Sequence, residues 1–120
     1  MFGAVSAQAA VTNFFLNPAF LSAPNAVEAN GTQLIVKPGT LNALYAGLGT
    51  AAGTDSFTYT VRINGVNTTI TCTITPGNTA ANDLAHTAAV IAGDRVSVLS
   101  VQSGTTAEGN IRQRASIGWI

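Results

Sequence analysis

Charge is what this chain has least of. Of its 120 residues 8% are charged, against roughly 25% in an ordinary soluble domain. Five basic and five acidic side chains cancel to a formal net charge of +0. A neutral chain cannot neutralise a run of phosphates, so nucleic acid is not an expected partner. The same balance argues against electrostatic docking on an anionic membrane. Cys72 is the single cysteine, which excludes an intramolecular disulfide and a cysteine zinc cluster. No apolar run approaches the roughly 18 residues that span a bilayer. Helical periodicity long enough to trust is also missing, as are heptads and a collagen-like repeat. The first residues, Met1 to Ala10, are small and lack a basic leader. They make a poor secretory signal, so assembly inside a cell is the expectation.

What the chain does have is apolar content of 47%, enough for a core in one domain of this length. Thr, Ser, Asn, Ala and Gly are left to build much of the surface. Few Lys and Glu rotamers would be frozen on burying such a surface, and low net charge favours association.

The stretch Ser56 to Thr75 carries the clearest structural signal. Phe57, Tyr59, Val61 and Ile63 alternate with Ser56, Thr58, Thr60 and Arg62, the period of a half-buried strand. Asn64-Gly65 suits a type I′ turn, which requires positive φ at both central residues. The predicted register sets Ile63 against Val66, Val61 against Thr68, Tyr59 against Ile70 and Phe57 against Cys72. One face of both strands is then apolar, and Cys72 is expected to be a small core residue.

Elsewhere residues 1–11 read as a featureless N-terminal arm. Thr12 to Leu21 holds Phe14, Phe15 and Phe20 but is interrupted by Asn17-Pro18, so it is at best a bent edge strand. Those aromatics either close one end of the core or dock on a neighbouring subunit or another protein. Strands are predicted over Gly31 to Lys37, with Leu34 and Val36 on one face, and over Leu41 to Leu48. Residues 76–84 read as a polar loop, followed by a strand over Ala85 to Ile91. Arg95 to Gln102 is predicted to be bulged or buried on both faces. In Asn110 to Ile120, Ile111, Gln113, Ala115, Ile117 and Trp119 alternate with Arg112, Arg114, Ser116 and Gly118. Gly93 is the expected left-handed residue of the Ala92-Gly93-Asp94 turn. About eight antiparallel strands in this length predict an all-β domain over residues 12–120, an eight-stranded jelly-roll sandwich with a short N-terminal arm. An immunoglobulin-like sandwich is the alternative, without its Cys–Trp–Cys spacing.

Candidate chemistry is thin. Asp83 and His86, three residues apart, could be a base and its orienter, but no G-x-S-x-G nucleophile elbow accompanies them. They are expected in a polar surface loop. Asp83, His86, Asp94 and Glu108 match no zinc or EF-hand spacing. Lys37 beside Pro38 reads as a solvated strand cap rather than one end of a cross-link. Asn30-Gly31-Thr32 and Asn67-Thr68-Thr69 match glycosylation sequons, as chance allows in a chain rich in Asn and Thr. No enzyme activity, metal or cofactor is expected.

Three segments carry a resemblance: Gly39-Thr40-Leu41-Asn42-Ala43-Leu44, Tyr59 through Arg62-Ile63-Asn64-Gly65-Val66 to Thr68, and Val90-Ile91-Ala92-Gly93-Asp94-Arg95-Val96-Ser97-Val98. This running pattern resembles that of small jelly-roll domains in phage virion proteins and trimeric bacterial surface proteins, whose fold is similar to tumour-necrosis-factor-like trimers. The resemblance covers residues 31 to 120 and implies a homotrimeric β-sandwich. It implies a capsid decoration protein on the virion exterior, assembled in the host cytoplasm, with the major capsid protein as partner. A receptor- or carbohydrate-binding head is the alternative. On this reading Phe2, Val5, Phe14 and Phe15 are candidate shell contacts. Arg112, Arg114 and Trp119 are candidate trimer-interface residues, because the last strand of such trimers lies near the symmetry axis and Arg and Trp are favoured anchors.

Overall fold

A computed structural model of the chain describes residues 2–4, 13–15, 17–18, 32–103 and 113–120. Every described element is a strand: β1 (Phe2–Ala4), β2 (Asn13–Phe15), β3 (Asn17–Pro18), β4 (Gln33–Leu34), β5 (Gly39–Leu48), β6 (Phe57–Ile63), β7 (Val66–Ile74), β8 (Ala80–Asp83), β9 (Ala88–Val90), β10 (Arg95–Gln102) and β11 (Gln113–Trp119). They form two antiparallel sheets. One runs β3-β1-β11-β5-β8, with β9 also on β5; the other runs β2-β10-β6-β7, with β4 also on β10. Eight of the strands fall between Gln33 and Trp119.

The two sheets share one apolar core. Leu44, Ala46, Val90 and Ala115 enter it from the first sheet, and Phe57, Tyr59, Val61, Ile70, Ile74 and Val98 from the second. Period-2 alternation produces this directly, since every second residue of β6 and β7 points inward. Polar groups are buried in the same layer and bridge its strands. The Tyr59 hydroxyl and the Ser100 hydroxyl both donate to Gln113 Oε1, at 2.8 and 2.7 Å. Gln102 Nε2 donates to Asp55 Oδ2 at 2.6 Å. The first of these clusters ties β11 of one sheet to β6 and β10 of the other.

The hairpin turn is as predicted: Asn64 has φ of 51° and Gly65 of 81°. Its register is not. Ile63 faces Val66 and Arg62 faces Asn67, but Thr60 then faces Thr71, Tyr59 faces Cys72 and Phe57 faces Ile74. β7 carries two extra residues opposite Val61. Thr68 fills the irregularity, its Oγ1 donating to the Val61 carbonyl at 2.7 Å and accepting from the Ile70 amide at 3.2 Å. A shift of two preserves side-chain parity, so Ile70, Cys72 and Ile74 stay buried.

Three further expectations need correction. The strand predicted over Gly31 to Lys37 is only Gln33–Leu34 among the described residues; Leu34 and Val36 share a face, an exposed one, and Ile35 packs on the core. The cause is backbone pairing: Ile35 N donates to Asp94 O, and Gly93 N to Ile35 O, both at 2.8 Å, which fixes the facing of that segment. Residues 80–83 are a strand rather than loop; Ala80-Ala81-Asn82 has little β propensity, and pairing with β5 decides it. Trp119 is exposed, although the register shift between Gly118 and Trp119 sets it opposite buried Leu41, because it lies at the end of β11 beyond the packed core. β10 is buried on both of its faces, as expected, with Ser97 and Leu99 covered on the side away from the core.

Candidate functional site

Asp83 and His86 come together. His86 Nδ1 lies 2.8 Å from Asp83 Oδ2, and the imidazole is half exposed. Asp83 itself is buried. Its carboxylate also accepts from Thr71 N at 3.0 Å, Ala85 N at 3.0 Å and His86 N at 3.3 Å. Burial pushes this carboxyl up, but the bonds from Thr71, Ala85 and His86 outweigh it and bring it down to about 2. The carboxylate is spent on backbone amides, one of them on β7 across the sheet boundary. It works as a structural strap. Cys72 lies nearby in the core; burial, and then the Asp83 charge, push its thiol up to about 11, which makes it a poor nucleophile. Among the described residues no three His, Cys, Asp or Glu side chains gather as metal ligands, and no helix is long and apolar enough to cross a membrane.

The motif residues meet at one end of the molecule. Asp94 Oδ1 accepts from Asn64 Nδ2 at 2.8 Å and Oδ2 from Ile91 N at 2.9 Å. Asn64 N donates to Arg95 O at 2.8 Å, and Asn64 Oδ1 accepts from Arg95 N at 2.9 Å. Hydrogen bonds from Ile91 N and then Asn64 hold the Asp94 carboxyl below its ordinary value. Gly93, with φ of 96°, lets the chain turn between them. Arg62 completes the hairpin tip, donating to Asn67 Oδ1 at 2.6 Å and to the Gly65 carbonyl. The Asn64-Gly65 and Ala92-Gly93-Asp94 segments brace one another, each fixing the other's turn.

The second region is the outward face of β11, β5 and β8. Ser116 pairs with Tyr45 and Tyr45 with Asn82; Arg114 pairs with Gly47 and Gly47 with Ala80; Gly118 pairs with Ala43. Small residues surround one exposed tyrosine, and Arg114 lies over Gly47. Trp119 is elsewhere. It stands six β5 residues from the Arg114 level, roughly 20 Å at 3.4 Å per residue, and its indole covers Gly39 so closely that a Cβ there would meet Nε1 at 1.8 Å. The structure thus does not bring Arg114 and Trp119 to one spot, and Arg112 lies outside the described residues. Phe2 sits in β1, paired with Ala115 of β11 and with Pro18. Phe14 and Phe15 sit in β2, paired with Ser100 and Leu99 of β10. Val5 lies outside the described residues. The position of Tyr45 between small neighbours becomes visible only with the β5–β11 register.

In comparison with known proteins, the chain matches no family model, no curated protein and no solved structure.

Proposed function

We propose that this chain is a structural virion protein, a homotrimeric jelly-roll sandwich that decorates the outside of a phage capsid and stabilises it. The strand order is the observation that carries the reading. β1 lies beside β11, β4 beside β10, β5 beside β8 and β9, and β6 beside β7. That is the pairing of one long antiparallel ribbon, hinged at the Asn64-Gly65 turn and wound into two sheets, which is how a jelly roll is built. It agrees with the fold that the sequence resemblance implies. The flat outward face of the β11–β5–β8 sheet, with Tyr45 among small residues, suits burial against a second copy, since little side-chain entropy is lost there. A trimer on a three-fold capsid site would engage three shell subunits at once and gain affinity without new contacts. Binding only the assembled shell would stabilise it by linkage.

The test is a mass by light scattering followed by co-sedimentation with expanded shells. A trimer that pellets with shells supports the reading, and a monomer left in the supernatant overturns it. A carbohydrate-binding head is the second reading, favoured by two exposed aromatics, Tyr45 at 53% and Trp119 at 47%. Saturable quenching of the single tryptophan by a glycan, with no binding to shells, would select it.

A further inference from the structure

We infer that the end of the molecule formed by the Asn64-Gly65 turn, the 91–95 turn and the 34–37 segment is a docking surface for an apolar, acidic protein surface. The inference rests on the capsid reading above, within which it names the end that faces the shell. Leu34, Val36, Val66, Ile91, Trp119 and Ile120 are between 47% and 78% exposed. Backbone contacts place all six at this end. Leu34 pairs with Arg95, Val66 pairs with Ile63, and Ile63 with Val96. Ile91 N is held by Asp94. Gly39 pairs with Val90 next to Ile91, while Thr40 and Ile120 exchange backbone bonds of 2.7 and 2.9 Å. Trp119 covers Gly39.

Isolated exposed aliphatics need no explanation, but a cluster does. Leu34 and Val36 point away from the core that Ile35 reaches, whereas Val66 and Trp119, paired with Ile63 and with buried Leu41, lie at the open margin of the inner faces. The six side chains together form one exposed apolar patch at this end of the molecule. They sit on a frame stiffened by the Asn64–Asp94–Arg95 bonds, so little order remains to be imposed on docking.

Charge selects the partner. Lys37 and Arg95 are exposed and Arg62 is half-buried at this end. Asp94 is the side-chain carboxylate there among the described residues, and both its oxygens already accept bonds from Asn64 and Ile91. An apolar centre with a cationic rim complements an apolar patch with acidic surroundings. A bilayer fits less well. The turn residues themselves are Asn64, Gly65, Ala92 and Gly93, polar or small, so insertion would carry Asn64 and Asp94 into lipid ahead of the aliphatics. In a trimer whose axis follows the strands of β5 and β11, three such ends lie side by side.

The experiment compares the full chain with two double variants, Val66→Asp with Ile91→Asp, and Lys37→Glu with Arg95→Glu. Mass, far-UV dichroism and pelleting with shells are recorded, together with pelleting on phosphatidylserine-containing vesicles. Both variants are expected to keep the parent mass and strand spectrum and to bind shells at least about tenfold more weakly. Binding of the parent is expected to weaken between about 50 and about 500 mM salt. Should the aliphatic pair fail to fold, the exposed charge pair carries the same test. Variants that pellet with shells as well as the parent overturn the inference and leave the capsid reading standing. A parent that never pellets with shells removes that reading, and the inference with it. Vesicle binding that the variants lose while shell binding is intact makes a bilayer the occupant and overturns the inference too.

Discussion

Asp83 is buried, and its carboxylate accepts three backbone amides and a histidine ring. Bonds to an ionised acceptor are worth about 1.5–3 kcal/mol each and are not additive, so Asp83→Ala is expected to cost about 2–4 kcal/mol by urea denaturation. The folded carboxyl titrates near 2, below the ordinary value of about 3.9. Its contribution is therefore complete above about pH 4 and is lost as pH falls toward 2. Asp83→Asn should be less stable than the parent at pH 7 and lose part of the slope between pH 4 and 2; denaturant midpoints across that window check the sign. Cys72 is expected to ignore Ellman's reagent in the native state at pH 8 and to react at once in denaturant, because burial holds its thiol near 11. Gly39 is set by its neighbour rather than by a turn. Gly39→Ala would push on the Trp119 indole, and a red-shifted tryptophan emission with a loss of about 1–2 kcal/mol is the expected result.

At the scale of elements, the β6–β7 hairpin shows how two local signals can agree and still leave the register open. The Asn-Gly turn and the alternating pattern allow both the regular pairing and one shifted by two, since either keeps Phe57, Tyr59, Ile70 and Cys72 on one face. Thr68 decides between them through its two bonds at the irregularity. Thr68→Val is expected to cost about 1 kcal/mol and to favour the regular register, in which Tyr59 faces Ile70. Cross-strand nuclear Overhauser effects between those two residues would report it. β7 is an edge strand, and edges invite pairing with other chains. The irregularity at Thr68 and the Asp83 carboxylate on Thr71 N interrupt this edge at two points.

At the scale of the whole molecule, the proposed trimer places Arg114 at an interface. Arg114→Glu should shift the light-scattering mass toward monomer, and an intact trimer would remove Arg114 from the interface. The fold is largely legible in the chain: strands β5, β6, β7, β10 and β11 fall where alternation and turn residues put them. β8 was hidden, because Ala-Ala-Asn has no strand preference of its own and is held by β5. The candidate surfaces were less legible. Alternation puts Leu34 and Val36 on one face without saying that this face is exposed, and it places Tyr45 and Trp119 in strands without fixing their exposure.

Local chemistry on its own determined the all-β class, the positive-φ turns at Asn64-Gly65 and Gly93, and the buried faces of the long strands. Each of these depends on a residue and its near neighbours in sequence. Tertiary structure decided what depends on partners distant in the chain: the two-residue shift at Thr68, the outward facing of Leu34 and Val36, the register shift before Trp119, and the strap at Asp83. In each case a backbone group had to be satisfied by a residue from another strand, and that requirement overrode the preference of the segment itself.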